Sequence, residues 1–135
     1  MHIFSKFRGF SLFIIPDFSW WSYSATTIFP FIFLQEKYFS LKGTIQVQRL
    51  INHENIHIQQ QIELGIFGFY LLYFLEFLVR LIIFRKWKKA YYTISFEVEA
   101  YFKQSNLDYL QKRKRYFWVS YIFQSNLWNV PKKYL

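Results

Sequence analysis

One apolar run in the middle of the chain dominates the pattern of hydrophobic and polar positions. Residues 64–84 read LGIFGFYLLYFLEFLVRLIIF, in which only Glu76 and Arg80 are charged. At 1.5 Å per helical residue, a run of this length crosses the roughly 30 Å hydrocarbon layer of a bilayer. The two charges are four residues apart and can pair on one face of a helix. The run therefore predicts one hydrophobic helix, either transmembrane or buried in a soluble core.

A strand pattern precedes this run. The segment from Thr26 to Leu34 is rich in β-branched and aromatic residues. Pro30 lies within it and favours an edge position, because proline has no N–H to donate to a neighbouring strand. A turn over 35–37 and a second extended segment over 42–47 would complete a small β-hairpin.

A helix is expected to follow the hairpin, beginning near Gln46 to Leu50. It continues into the apolar run without a clear break, since Gly65 and Gly68 only weaken a helix. Phe10 to Trp21 is expected to be a short hydrophobic or interfacial element, Lys86 to Asn106 a further helix with an extension over Leu107 to Lys114, and Tyr116 to Trp128 a helix or an interfacial segment. The chain is thus predicted to be a single domain over 1–135, mainly α with a small β element (α+β).

Composition favours a membrane setting. The chain of 135 residues contains 18 Phe, 11 Tyr and 5 Trp, more apolar surface than a compact domain of this size can hide. A basic cluster follows the apolar run directly and consists of Arg85, Lys86, Lys88 and Lys89. Such clusters mark the cytoplasmic side of membrane proteins and bind anionic lipid. We therefore expect a membrane-associated protein with its basic segments on the cytoplasmic side.

Nucleic acid is the rival partner for a chain with a net charge of +9. The aromatic residues lie mostly in continuous apolar runs rather than singly between charges, and no nucleic-acid-binding module is recognisable. We therefore expect lipid, and no nucleic acid. The absence of cysteine means that neither disulfides nor thiolate metal ligands are available.

The sequence HENIH at 53–57 carries the candidate chemistry. His53 and His57 are two of only three histidines, and on a helix they lie on one face with Cβ atoms about 5–6 Å apart, so both rings can reach one ion. Glu54 lies about 100° around the helix from His53, close enough to act on a water at that ion. This spacing predicts two zinc ligands and a general base; an exposed polar helix face is the alternative.

A third ligand is needed from elsewhere, because catalytic zinc usually takes three protein ligands and one water. His2 lies at the terminus, where fraying is common. The better source is the segment SFEVEAY at 95–101, which contains Glu97 and Glu99 in a chain with only eight acidic residues. The alternative is a solvated acidic helix face that balances nearby Lys and Arg.

These motifs resemble a known pattern. HExxH followed on a later helix by E-x-x-A-D is typical of gluzincin metallopeptidases, especially the membrane-embedded HtpX and CAAX prenyl endopeptidase type, and residues 97–100 match its E-x-x-A part. The resemblance implies that Glu97 is the third ligand, with Glu99 as the alternative if the helix register differs. Tyr101 stands where those enzymes usually carry Asp. Residues 53–63 and 96–101 are also similar to the HExIHxxQQxE and FExEAY motifs of short, uncharacterised bacterial membrane proteins, a likeness that implies a bacterial inner membrane as the location.

The resemblance implies a minimal zincin-like domain and a zinc-dependent peptidase, with Glu54 as general base toward a water activated by the metal. In zincins an edge strand beside the active helix commonly aligns a peptide substrate by strand addition. Here that role is predicted for Ile28, Phe29, Phe31, Ile32 and Phe33. The alternative is a non-catalytic integral membrane protein in which the HENIH helix is structural or binds metal without turnover. The small size suggests that a partner or a homo-oligomer completes the cleft.

Overall fold

The structure is a computed structural model that describes residues 5–7, 10–17, 24–39 and 44–124. Expectations for His2, for the interfacial part of Phe10 to Trp21 beyond 17, and for the tail after 124 lie outside these residues. Within them, the predicted class is confirmed: the chain is mainly helical, with one small sheet and one long apolar helix.

In the described part of the chain, four short strands form the sheet. They are β1 (Ser5–Phe7), β2 (Phe10–Ile15), β3 (Ala25–Ile28) and β4 (Phe31–Gln35), in the order β1-β2-β4-β3. β1 pairs with β2 and β3 with β4 in antiparallel fashion, whereas β2 and β4 are parallel. A short helix, α1 (Glu36–Phe39), follows β4 directly.

The single strand predicted over Thr26 to Leu34 is wrong. The chain turns at Phe29–Pro30, so this segment forms two antiparallel strands, and β4 lies between β2 and β3 rather than at an edge. The missing N–H of Pro30 is accommodated in the turn instead of on a sheet edge. In the predicted turn at 35–37, Gln35 ends β4 and the next two residues begin α1, and Ile45–Val47 form a first helical turn rather than a strand.

The longest element is α2 (Ile45–Phe84), which begins as expected near the HENIH motif. Thr44 caps its N-terminus by accepting a hydrogen bond from the Val47 N–H. The expectation of an unbroken helix is wrong at one position: Gly65 has φ 71° and ψ 159°, which divides α2 into a half that carries HENIH and an apolar half. A side chain rarely adopts this backbone conformation, so glycine determines where the break falls.

The two halves of α2 pack against different partners. The first half lies against the sheet, around a core that includes Leu34, Ile51 and Ile58. The apolar half lies against the helices that follow it, around Phe69, Phe96 and Trp118. Hydrophobic burial on both sides of Gly65 thus fixes each half independently.

Three α-helices and a 3₁₀ helix follow: α3 (Trp87–Tyr92), α4 (Ser95–Lys103), α5 (Tyr109–Lys112) and the 3₁₀ helix at Phe117–Tyr121. The continuous helix predicted over Lys86 to Asn106, with its extension, is therefore wrong. Glu76 of α2 accepts hydrogen bonds from the Ser95 N–H (2.9 Å) and from the Ser95 hydroxyl (2.6 Å). The Glu76 carboxylate thus provides hydrogen-bond acceptors at the N-terminus of α4. α4 therefore begins separately, after a turn, instead of continuing α3.

The predicted pair of Glu76 and Arg80 is confirmed, at 2.7 Å. Arg80 is buried and also donates to the Ile122 carbonyl, so the pair faces the protein and not the outer side of α2. That outer side is apolar and exposed, from Phe67 (93% exposed) to Ile82 (75%). Among the described residues, α2 is the single helix long and apolar enough to cross a membrane.

Candidate metal centre

The two histidines of HENIH converge as their spacing predicts. Both are buried, and their Nε2 atoms are 3.1 Å apart. Hydrophobic packing of Ile51 and Ile58 into the core beneath the sheet orients this part of α2, so that His53 and His57 face Glu97 on α4.

Glu97 reaches the pair from α4. Its carboxylate oxygens lie 3.3 Å from His53 Nε2 and 3.4 Å from His57 Nε2. The Tyr73 hydroxyl donates a hydrogen bond to Glu97 Oε1 at 2.8 Å. The side chains of His53, His57 and Glu97 thus form a buried cluster that could bind a metal ion.

Charge is strongly coupled in this cluster. Burial lowers the pKa of His57, but the adjacent Glu97 charge and hydrogen bond outweigh it and raise the pKa to about 9. Burial likewise raises the pKa of Glu97, but the His57 charge and the hydrogen bond with His53 hold it well below its usual range. Without a metal ion, a proton on His57 therefore balances the Glu97 carboxylate near neutral pH.

Glu54 lies beside the cluster with its carboxylate held from the sheet. The Thr27 hydroxyl on β3 donates to Glu54 Oε2 at 2.6 Å. Glu54 lines a cavity of about 230 Å³ together with all three members of the cluster and with Thr27. A second cavity, of about 440 Å³, adjoins the first at His53 and Glu54. A small molecule or peptide group could approach Glu54 and the cluster from either cavity.

Glu99, the alternative third ligand, points to a different environment. Its carboxylate accepts hydrogen bonds from the Gln60 amide (3.0 Å), the Tyr109 hydroxyl (2.8 Å) and the Arg113 guanidinium. Arg113 also pairs with Glu63. These partners place Glu99 in a buried ion-pair network behind the histidines, and the structure brings Glu97, not Glu99, to the two Nε2 atoms.

The predicted substrate strand does not have the expected geometry. Phe31, Ile32 and Phe33 belong to the inner strand β4, and Ile32 is only 1% exposed. Ile28 ends β3, and Phe29 lies in the turn, where its N–H donates to Gln61. The sheet residues that line the 230 Å³ cavity are instead Ala25, Thr26 and Thr27. The single edge strand assumed for these residues is not formed, because the chain turns at Phe29–Pro30, whereas their role in substrate binding stays a prediction.

Sequence reasoning missed several residues that hold the cluster. Thr27 binds Glu54, Tyr73 binds Glu97, and the ring of Tyr101 packs edge-on against His53 with centroids 4.5 Å apart. Burial, and then the Glu97 charge, raise the pKa of Tyr101, so it stays neutral. Of these residues, only Tyr101 could be recognised from the sequence, because it occupies the Asp position of the E-x-x-A-D pattern. Thr27 and Tyr73 reach the site through tertiary contacts between distant segments.

Comparison with protein-family models, with curated proteins and with solved structures finds no match to this chain. The likeness to gluzincins therefore stays a prediction from short motifs.

Proposed function

We propose that this protein is a membrane-associated zinc peptidase that hydrolyses a peptide or protein substrate. The observation that carries the proposal is the convergence of His53, His57 and Glu97 in a buried cluster, with the Glu54 carboxylate in the same cavity. Two imidazoles and one carboxylate, with a further carboxylate that is not part of the cluster, are the groups that hydrolytic zinc sites use.

The spacing of the donor atoms supports zinc. Ligand atoms about 2.0–2.1 Å from a tetrahedral ion lie about 3.3–3.4 Å from one another. The two histidine Nε2 atoms are 3.1 Å apart; His53 Nε2 lies 3.3 Å from Glu97 Oε2, and His57 Nε2 lies 3.4 Å from the other carboxylate oxygen, Oε1. Three protein ligands would leave a fourth position for water or substrate. Nitrogen and oxygen donors without sulfur are also consistent with this ion.

A bound zinc ion would supply Lewis acidity, which lowers the pKa of a bound water to about 7. The chain itself would supply the proton transfers. Glu54 Oε2 is oriented by the Thr27 hydroxyl, which leaves its other oxygen to accept a proton from the attacking water. Glu54 would then give that proton to the leaving amine.

The exposed face of α2 supports the membrane part of the proposal. Leu71, Phe74 and Leu78 lie on this face, and the basic residues 85, 86, 88 and 89 follow its end. We place this basic end on the cytoplasmic side of a bacterial inner membrane, because Lys and Arg are enriched there. Membrane lipid would contact the apolar face.

A non-catalytic membrane protein is the second candidate, and one observation favours it. A protonated His57 already balances Glu97, so the cluster is complete in charge without a metal ion. In that case the contacts of His53 and His57 with Glu97 would only stabilise the packing of α4 against α2.

Metal content separates the two candidates. The purified wild-type protein should contain one zinc ion per chain by elemental analysis, and His53→Ala and Glu97→Ala should lose it. Glu36→Ala is the matched control, since Glu36 is exposed and remote from the cluster. Wild-type protein without stoichiometric zinc, after zinc has been offered at neutral pH, would favour the structural candidate.

Catalysis itself is tested at Glu54. Glu54→Gln should keep zinc, because this residue is not expected to be a ligand, and should lose at least 100-fold in hydrolysis of a quenched peptide library, as expected for loss of a general base. Zinc content measured on the same preparation is the control. Unchanged hydrolysis in this variant would remove Glu54 as the base.

A further inference from the structure

Each histidine of the cluster has a glutamine behind it. His57 Nδ1 lies 2.8 Å from Gln60 Oε1, and His53 Nδ1 lies 3.2 Å from Gln104 Oε1. The Nε2 atom of each ring faces Glu97. Both rings thus have one nitrogen toward a glutamine and the other toward the candidate metal position.

The contacts of Gln60 determine which way its amide points. Its Nε2 donates to the Phe96 carbonyl at 3.2 Å and to Glu99 Oε2 at 3.0 Å. Both partners are acceptors only, so the NH₂ group must face them and the amide oxygen must face His57. An amide oxygen cannot donate, and therefore His57 Nδ1 must carry the hydrogen.

The Glu99 carboxylate keeps Gln60 in this orientation, and Arg113 neutralises its buried charge. Arg113 also binds Glu63, one turn beyond Gln60 on α2, so the network joins α4 to the helix that bears the histidines. All of these side chains are at least partly buried, which strengthens their hydrogen bonds.

Gln104 is held through its backbone rather than through its side-chain amide. Asn52, the neighbour of His53, donates to the Gln104 carbonyl at 2.9 Å and to the Asn106 carbonyl at 3.0 Å. These bonds hold the C-terminal end of α4, and with it Gln104, against α2.

We propose that Gln60 is a positioning residue that holds His57 as the Nδ1–H tautomer and so presents the Nε2 lone pair to a metal ion, with Gln104 acting likewise on His53. The inference rests on the proposed function. It gives Glu99 the task of orienting Gln60, in place of the ligand role that its position in the motif left open. Partners of this kind typically change metal affinity 10–100-fold when they are removed.

The first experiment measures zinc affinity by competition with a chromophoric chelator. Gln60→Ala should bind zinc 10–100-fold more weakly than wild type. Gln59→Ala is the matched control: it makes the same chemical change one residue away and should bind as wild type does. Circular dichroism shows whether Gln60→Ala is folded. If it is not, the zinc affinity of Gln104→Ala, at a half-buried position, tests the same role toward His53.

A double substitution separates positioning from packing. Gln60→Glu combined with Glu99→Gln exchanges the two groups and conserves charge, and it keeps an acceptor facing His57 Nδ1. Zinc affinity should return to within a few-fold of wild type. Gln60→Met keeps the approximate volume without an acceptor and should bind as weakly as Gln60→Ala.

The tautomer provides a readout that does not depend on activity. In zinc-loaded protein labelled with ¹⁵N-histidine, the NMR signals of His57 should report a hydrogen on Nδ1. Cobalt substitution should give an absorption spectrum that changes in Gln60→Ala and not in Gln59→Ala. Zinc bound as tightly by Gln60→Ala as by Gln59→Ala, or a hydrogen-free Nδ1 on His57, would overturn the inference alone. Wild-type protein without zinc would overturn the proposed function as well, whereas zinc binding without hydrolysis would leave the positioning role standing.

Discussion

At the residue scale, the contact between His57 and Glu97 makes the stability of the metal-free protein depend on pH. The pKa of His57 is raised to about 9 in the folded state from an ordinary value of 6.5. A raised histidine pKa stabilises the fold fully below 6.5, and this contribution is lost as pH rises through about 9. The lowered pKa of Glu97 acts oppositely: its contribution is present above the ordinary 4.5 and is lost in more acidic solution.

The thermal midpoint of metal-free protein should therefore fall as pH rises from about 6.5 to about 9. His57→Gln removes the titrating group and should flatten this part of the profile. Zinc must displace the proton, so its affinity should rise over the same interval. The measurement is scanning fluorimetry in detergent with a chelator or with excess zinc. A wild-type profile as flat as that of His57→Gln would contradict the charge coupling.

Site residues that lie close together in the sequence could be predicted, whereas those that the fold brings in from distant segments could not. His53, Glu54 and His57 lie within two helical turns, so helix geometry alone fixes their relation. Glu97 entered through a motif and could not be separated from Glu99 without the register of α4. Thr27 and Tyr73 lie more than twenty residues from the carboxylates that they bind, and no local pattern reports such contacts.

At the element scale, Gly65 separates the half of α2 that carries the candidate metal ligands from the half that is proposed to contact the membrane. Its φ of 71° with ψ of 159° lies in a region that residues with a side chain avoid, although an added Cβ would meet nothing within 4 Å. Gly65→Ala should therefore destabilise the fold by about 1–3 kcal/mol through backbone strain alone. The measurement is thermal or denaturant unfolding in detergent.

Gly68→Ala is the matched comparison, three residues along the same helix. Gly68 is helical, and an added Cβ would lie 3.7 Å from Leu64 Cβ, an ordinary contact. Alanine is the better helix former by about 1 kcal/mol, so this variant should be neutral or more stable. Equal effects of the two substitutions would argue against a break at Gly65.

The same element scale explains which parts of the fold the pattern of residues could not predict. The apolar pattern predicted α2 but not its break, because the backbone conformation of Gly65 depends on how the two halves of the helix pack against two different cores. Residues in the 26–34 segment do form β-strands, but a turn at Phe29–Pro30 divides them. Pro30 was compatible with either a turn or an edge strand, so the sequence did not locate this turn. The helix at 86–106 was divided because Glu76, nineteen residues earlier, supplies hydrogen bonds to Ser95.

At the scale of the whole molecule, the exposed face of α2 is the surface that would contact lipid in the proposed membrane setting. The Glu76–Arg80 pair, which counts against a membrane helix in the sequence, lies on the opposite face and is covered by Ser95 and the Ile122 carbonyl. The cost of placing these charges in hydrocarbon is thus largely avoided. What remains toward the outside is apolar.

The wild-type protein should consequently stay in the membrane fraction under both high-salt and alkaline extraction. Leu75→Arg places a charge on the exposed face at a cost of about 2.5–3.5 kcal/mol and should lower the membrane-bound fraction. Gln111→Arg adds the same charge at an exposed position on α5 and should have no effect. Release of the wild type by salt alone would indicate peripheral binding through the basic cluster.

A file of aromatic rings leads away from the histidines: His57 contacts Phe69, Phe69 contacts Phe96, and Phe96 contacts the indole of Trp118 at 4.5 Å between centroids. This places a natural fluorophore within three ring contacts of the candidate ion. A coloured ion such as cobalt would quench the emission of Trp118, whereas colourless zinc would not. Light emitted by the unlabelled chain would then report occupancy directly, and loss of the quenching in Trp118→Phe would identify the reporter.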